Sequence, residues 1–205
     1  RSTADGEAKR TIDLTVLDNA KAVFLPFPVI PFAHSVFSNV TNAHIGAQSS
    51  FMYADVVTCG RVGMGERWKM RRFSSSTRVY VDETGEEGGP RSRPRGDGEE
   101  SAPRLVFADR LLLEPDRFTY TDTAMWREFT HCGMAYLHVP RRESRRTQMT
   151  AEDELVERIR ALAHDRGPRG EIGVSRQNEG IAVRLLTDRG DDAFGFLAEV
   201  AQLLR

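Results

Sequence analysis

Two carboxylates, Asp55 and Glu66, are the residues of this 205-residue chain whose types and spacing best suit binding chemistry. Asp55 lies in an apolar run that predicts a buried strand, and Glu66 follows a turn punctuated by Gly60 and Gly65. Carboxylate oxygens are hard donors, suited to a divalent cation or to water held in an internal passage. The segment 51–68 is therefore the candidate site.

Two interpretations of Asp55 remain open. An unpaired carboxylate among apolar side chains costs free energy, so Asp55 requires a compensating partner. That partner is either a structural ion pair with Arg61, Arg67 or another arginine, or a cation or water held in a passage.

Cysteines and histidines offer a possible site of softer ligands. Cys59 lies four residues after Asp55, which is about 13 Å along an extended strand and too far for one ion. His131 and Cys132 point to opposite faces of a strand, and Cys132 and His138 lie about 20 Å apart on one face. A metal site there needs a distant partner, so we expect an ordinary structural role for these side chains.

The glycine spacing around Arg61 matches neither a dinucleotide fingerprint nor a P-loop, and no long helix follows it to supply an anion-binding N-terminus. We expect Gly60, Gly63 and Gly65 to adopt positive φ angles instead. Serines 74–76 have no readable His or Asp arrangement for nucleophilic catalysis. The sequence thus predicts no enzyme class.

Composition excludes several partner classes. The net charge is -1 and the sequence pI is near 6.6, so we expect neither a nucleic-acid nor a membrane-surface partner. No apolar run approaches the roughly 20 residues that span a bilayer, and no secretory signal is present. We therefore expect one cytoplasmic domain over residues 1–205.

Strand signals dominate the first two thirds of the chain. Thr11 to Val16 alternates strictly between polar and apolar residues, which is typical of a strand with one buried face. The pattern predicts a mainly β, β-helical or sandwich-like scaffold. Further strands are predicted at Ala22 to Leu25, His34 to Val40, Ala43 to Ile45, Ser50 to Val57, Arg67 to Phe73, Thr77 to Val81, Leu105 to Phe107, Arg110 to Leu113, Met125 to Thr130 and Gly133 to Val139.

Two segments interrupt this pattern. Pro26, Pro28 and Pro31 exclude a helix and a central strand, so they predict an extended connection whose apolar side chains either pack in the core or contact a partner. Residues 83–103 have almost no apolar side chain to bury and are predicted to be a mobile loop.

The C-terminal part, residues 150–205, is predicted to be a small α-β-β-α unit with two helices. Thr150 is the predicted cap of the first helix, which stops at Gly167, and Asp191 or Asp192 opens the last one. Strands are expected from Glu171 to Ser175 and from Gly180 to Leu186. The predicted apolar faces are Leu155, Val156, Ile159, Leu162 and Ala163, and then Phe194, Leu197, Val200, Ala201 and Leu204.

Four motifs follow one another along the chain: Phe24-Leu25-Pro26-x-Pro28-Val29-Ile30-Pro31-Phe32, Asp55-x-x-x-x-Gly60-Arg61-x-x-x-Gly65-Glu66-x-Trp68, Asp109-Arg110-Leu111-x-Leu113-x-Pro115 and Gly180-Ile181-x-Val183-Arg184-Leu185-Leu186. On these motifs the sequence resembles the UreD (UreH) family of urease accessory proteins over nearly its whole length. Cys59 stands where the family commonly has proline, and the insertion at 83–103 is longer than usual. Family members also begin well upstream of Arg1, so N-terminal strands are expected to be missing.

The resemblance implies a scaffold that binds a UreF-type accessory protein, through it a UreG-type GTPase, and the urease apoprotein, so that nickel reaches urease in a GTP-dependent process. It implies no catalysis by the chain itself and only transient nickel binding. By the same resemblance Asp55 and Glu66 line the nickel passage and Arg61 pairs with a carboxylate, while the glycines and prolines shape the scaffold. The alternatives are a metal-dependent hydrolase built on Asp55 and Glu66, or a metal-free β-rich interaction module.

Overall fold

The structure, a computed structural model, describes residues 6–82 and 103–204 and places two short paired strands between them. The predicted mobile loop, 83–103, falls almost entirely outside the described residues. The described strands are Glu7–Val16 (β1), Lys21–Phe24 (β2), Val36–Gly46 (β3), Ser50–Thr58 (β4), Arg72–Asp82 (β5), Pro94–Arg95 (β6), Glu99–Glu100 (β7), Arg104–Leu113 (β8), His131–His138 (β9), Gly170–Arg176 (β10) and Ile181–Thr187 (β11); the helices are Arg145–Arg166 (α1) and Gly190–Gln202 (α2).

The first five strands alternate between two sheets as the chain winds forward. β1, β3 and β5 are parallel neighbours in a sheet completed by antiparallel β8. β2 and β4 are parallel in the other sheet, which continues through antiparallel β9, β11 and β10. The fold is therefore mainly β, with a β-helical start, and the strands of the predicted C-terminal unit extend the second sheet.

The two faces of β4 are both buried, but in different surroundings. Met52, Ala54 and Val56 pack with residues of both helices, while Phe51 and Tyr53 pack with residues of the first sheet. Because side chains alternate along a strand, Asp55 lies on the second of these faces, between the two sheets.

Both helices cover the outer face of the second sheet. The predicted apolar face of α1 is confirmed in Leu155, Val156 and Ile159, which are buried there. In α2 the buried face includes Phe196, and Phe194 is only partly covered. Neither of the described helices is long and apolar enough to cross a bilayer.

The predicted start of α1 at Thr150 is wrong. The helix begins at Arg145 because Ser144 caps it: the Ser144 side chain accepts from Thr147 N at 3.2 Å, and Thr147 Oγ1 lies 3.3 Å from Ser144 N. Thr150 lies inside the helix, where its hydroxyl donates to the Arg146 carbonyl. A threonine closes this capping box in place of the usual Glu or Gln, and charged residues follow the cap, which hid the signal.

The strands predicted at Met125 to Thr130 and at Arg67 to Phe73 are also mostly wrong. Arg127 and Trp68 both have positive φ angles, which break an extended strand. The apolar side chains serve another purpose here: Trp68 stacks on Tyr120 and meets Trp126 edge to face, with ring centroids 4.7 and 4.8 Å apart. Two pairs of predicted short strands, at 34–45 and at 105–113, are each one continuous strand.

Candidate functional site

Asp55 is held between the sheets by its position on β4, and its residue is only 8% exposed. A row of polar side chains from the first sheet faces it. Ser75 Oγ lies 3.5 Å from Asp55 Oδ2, Asn39 Nδ2 donates to Ser75 Oγ at 3.0 Å, and Arg10 Nε donates to Asn39 Oδ1 at 2.8 Å. The carboxylate thus ends a polar chain that crosses three strands.

Strand register explains why this row forms. Arg10 pairs with Asn39 across β1 and β3, and Asn39 pairs with Ser75 across β3 and β5. Aligned parallel strands place equivalent residues side by side on one face, so three polar residues far apart in sequence become neighbours.

The carboxyl group of Asp55 is incompletely satisfied. Its Oδ1 atom is buried and has no hydrogen-bond partner among the described residues. Burial raises the pKa of Asp55 to about 6, against the opposing charge of Arg10. Such a carboxyl group exchanges its proton near pH 6, and one of its oxygens has no hydrogen-bond donor among the described residues.

A cavity of about 20 Å³ opens beside this carboxylate, with room for about one water molecule. At its rim Arg184 donates to Asp109, and the Arg184 side chain is 55% exposed. The cavity therefore lies between the buried carboxylate and the surface. Its lining is Asp55, Val57, Phe73, Ser75, Asp109, Leu111, Cys132, Met134 and Arg184.

Glu66 has different surroundings from Asp55. Arg61 donates to it twice, from Nε at 2.8 Å and from Nη2 at 2.6 Å, and Ala33 N lies 3.4 Å from Oε2. The Arg61 hydrogen bonds lower the pKa of Glu66. Glu66 is not part of the Asp55 cavity lining. The expected carboxylate partner of Arg61 is therefore Glu66, and the arginine near Asp55 is Arg10.

Gly60 and Gly65 shape the connection that carries this ion pair. Both have positive φ angles, +134° and +69°, as the sequence predicts, but the same prediction is wrong for Gly63, which lies in the short 3-10 helix Val62–Met64. A Cβ atom at Gly60 would lie 1.9 Å from the Glu66 carbonyl oxygen, so a side chain there is sterically excluded.

The proline segment serves the core and the surface at once. Pro26 and Pro28 precede Val29, through which the segment meets β4: the Val29 amide donates to the Val56 carbonyl at 2.8 Å. Pro31 is buried, whereas the neighbouring Phe27 is 83% exposed. Phe32, 52% exposed, lies under the Arg61 guanidinium at 4.6 Å.

The thiol and imidazole groups do not gather into one site. Within the described residues no group of three or more His, Cys, Asp or Glu side chains could hold a metal ion. Cys59 is buried with the aromatic cluster, and His131 Nδ1 lies 2.8 Å from Thr130 Oγ1. Burial raises the pKa of Cys132 to about 12, although this thiol shares the cavity of Asp55.

Sequence reasoning missed Arg10, Asn39 and Ser75. A signal existed for two of them: Asn39 and Ser75 occupy inward-facing positions of strands that also turn apolar residues such as Ile45 and Phe73 inward, together with the buried Thr41 and Thr77. Polar residues within such a row mark an internal polar feature. The register that joins them has no signal in one sequence.

Comparison with known proteins places the whole chain, residues 1–205, in a match to the family described as UreD urease accessory protein. The chain is 24% identical over 200 residues to urease accessory protein UreH of Helicobacter hepaticus, covering 97% of this chain and 66% of that protein. It is 25% identical to a urease accessory protein UreD of Haemophilus influenzae over the same shares, and 27% identical to one of Actinobacillus pleuropneumoniae, covering 91% of this chain and 60% of that protein. The chain therefore spans slightly less than two thirds of these relatives' length.

Proposed function

The chain belongs to the family of UreD urease accessory proteins, and from this premise we propose that it is a scaffold in the complex that inserts nickel into the urease apoprotein. In this proposal nickel is cargo, passed on in a GTP-dependent process that a UreG-type GTPase partner drives. The chain itself carries out no catalysis and acts in the cytoplasm.

The observation that carries the nickel proposal is the unsatisfied oxygen of Asp55 beside a small cavity. A single carboxylate supported by neutral hydroxyl and amide groups binds Ni²⁺ weakly, because nickel prefers nitrogen and sulfur ligands. Weak binding suits a station from which the ion must leave. The proton on Asp55 competes with the cation, so arrival of nickel releases a proton near pH 6.

Glu66 belongs to the proposal as a second station with a different character. Its two oxygens are already held by Arg61, so an ion must share them with the guanidinium or displace it. The Arg61–Glu66 pair lies in the connection between β4 and β5 rather than between the sheets. This position suits entry or exit of the ion.

The proposed partner-binding surface is the exposed apolar set around the proline segment. Phe27, Ile30 and Met64 are 83%, 50% and 71% exposed. The Phe32 ring of the same segment packs against the Arg61 guanidinium. Large exposed apolar side chains on a rigid segment are typical of protein interfaces. We propose that a UreF-type accessory protein binds here and bridges to the GTPase and to urease.

Co-purification tests the proposal. The full-length gene product, co-expressed with UreF-type and UreG-type partners, is expected to elute as one complex with urease apoprotein and to support GTP-dependent urease activation. Failure to form any complex under conditions in which family members form one would contradict the scaffold role. Nickel titration that gives the same isotherm for wild type and for Asp55→Ala plus Glu66→Ala would favour a metal-free interaction module instead.

A further inference from the structure

A second cavity, of about 380 Å³, lies where the end of β9 meets the start of α1 and uses neither Asp55 nor Glu66. Three features of its lining point to one kind of ligand: the helix N-terminus, two arginines that form no ion pair among the described residues, and a buried histidine. Its lining residues are Ala47, Val81, His138, Arg141, Arg142, Glu143, Ser144, Arg145, Gln148, Met149, Glu152, Asn178 and Glu179.

The N-terminus of α1 has the charge pattern opposite to the usual one. The positive end of a helix dipole favours acidic side chains in the first turn. This 22-residue helix has none there and begins with Arg145 and Arg146. Arginines at the positive end of a helix dipole are repelled by it, so this arrangement is unfavourable unless an anion lies nearby.

The arginines at the cavity are available to such an anion. Within the described part of the chain, Arg142 and Arg145 form no ion pair, and both side chains are exposed. Two of the three acidic groups of the lining are otherwise engaged, and the third, Glu143, is exposed and forms no ion pair among the described residues. Glu152 accepts from Gly180 N and Gln148 Nε2, each at 2.9 Å, and Glu179 is held by Arg104 at 2.7 Å.

His138 supplies the independent observation. Its residue is 3% exposed, it lines the cavity, and its Nδ1 atom has no hydrogen-bond partner among the described residues. Its other ring nitrogen, Nε2, lies 3.4 Å from the Ala47 carbonyl oxygen. Since a carbonyl can only accept, that contact places the proton on Nε2 and leaves the buried Nδ1 atom without a partner among the described residues.

We propose that this cavity binds the phosphate group of a small ligand, with Arg142 and Arg145 as cationic donors and His138 Nδ1 as the buried contact. A tetrahedral oxyanion matches guanidinium donors beside a helix N-terminus, which is a recurrent anion-binding arrangement. The remaining volume and the apolar Ala47, Val81 and Met149 suit a small organic group attached to the phosphate.

The buried histidine couples this binding to pH. Burial lowers the pKa of His138, which favours the neutral ring in the empty cavity. An oxyanion without a proton of its own, such as sulfate, needs Nδ1 protonated and must bind with proton uptake. Three other charges also change the pKa of this ring: Glu179 raises it, and Arg141 and Arg104 lower it. The remaining charged residues of the lining are Glu143, Glu152, Arg142 and Arg145. Sulfate binding is therefore expected to tighten as pH falls from 8 to 6.

Calorimetric titration with sulfate, inorganic phosphate, glycerol 3-phosphate and acetate at constant ionic strength tests the proposal. The three tetrahedral oxyanions are expected to compete for one saturable site, and the tighter of the two phosphates identifies the source. Arg145→Gln and Arg142→Gln are each expected to weaken binding roughly tenfold. Arg146→Gln is the matched control, because Arg146 is in the same run but not in the lining.

Three results would overturn the proposal: no saturable binding, acetate binding as tightly as phosphate, or equal weakening by Arg146→Gln and Arg145→Gln. Proton uptake is measured on the wild-type protein by titrating sulfate in two buffers of different ionisation enthalpy. Uptake that is present in wild type and lost in His138→Gln supports the histidine contact. If His138→Gln does not fold, the wild-type measurement decides alone, and absence of uptake there excludes the histidine from the site.

Discussion

Arg61 donates to both carboxylate oxygens of Glu66, at 2.8 and 2.6 Å, across the connection that follows β4. This relationship separates the two carboxylates that the sequence groups together. Glu66 is a paired carboxylate whose pKa is lowered, whereas Asp55 is a buried one whose pKa is raised to about 6. Of the two, only Asp55 has a carboxylate oxygen without a hydrogen-bond partner among the described residues.

The Arg61–Glu66 pair is expected to fix the conformation of its connection. Arg61→Gln and Glu66→Gln should each lower Tm, and the double variant should lower it by no more than the larger single change, because both variants remove the same bidentate contact. Thermal unfolding at pH 7 measures this. Additive losses would show that the two side chains act independently.

Gly60→Ala is expected to destabilise the fold strongly. The positive φ angle costs an L-residue about 1–3 kcal/mol, and the new Cβ would also lie 1.9 Å from the Glu66 carbonyl oxygen. The matched control is Gly63→Ala, where an added Cβ meets no atom within 4 Å. Urea unfolding should show a large loss for the first variant and almost none for the second, and equal losses would contradict the assigned geometry.

Asp55→Asn is expected to stabilise the protein above pH 6. The folded-state pKa of about 6 exceeds the ordinary value of 3.8, so the unfolded state releases its proton first and wild-type stability falls as pH rises through this window. Two pKa units correspond to about 3 kcal/mol, an upper bound on the gain, which should shrink towards zero near pH 4. Urea unfolding of both proteins between pH 4.5 and 8 measures it, and a gain independent of pH would contradict the burial argument.

The two thiols are expected to resist alkylation in the folded protein. Burial raises the pKa of both Cys59 and Cys132, the latter to about 12, so little thiolate exists at pH 8. Iodoacetamide should react slowly with native protein and rapidly with both thiols in urea. Rapid native modification of Cys132 would instead indicate an accessible thiolate and reopen soft-metal binding at this site.

Replacing exposed apolar residues of the proline segment should weaken partner binding without loss of stability. Phe27→Ser with Ile30→Ser is expected to reduce co-purification of the UreF-type partner at least tenfold while Tm changes little, since both residues are largely exposed. Leu105→Ser is the control, because Leu105 is 50% exposed on β8, outside the segment. Equal effects of the control would argue against a specific surface.

The sequence predicted what local patterns encode and missed what register and turns decide. Alternation from Thr11 to Val16 correctly indicated an inward face, and the apolar surroundings of Asp55 correctly indicated burial. Positive φ angles at Trp68 and Arg127 convert apolar runs into turns, and neither residue type signals this. The polar row from Arg10 to Ser75 depends on parallel pairing of distant strands, which no local pattern reports.

Nickel delivery through Asp55 is the central claim, and the nickel content of urease measures it most directly. Urease is activated with the complete accessory complex carrying wild type, Asp55→Asn or the control Asp13→Asn, whose side chain is exposed and accepts a hydrogen bond from Asn42. Asp55→Asn should form the complex normally but leave urease with much less nickel, while Asp13→Asn matches wild type. Full nickel loading with Asp55→Asn would contradict the claim.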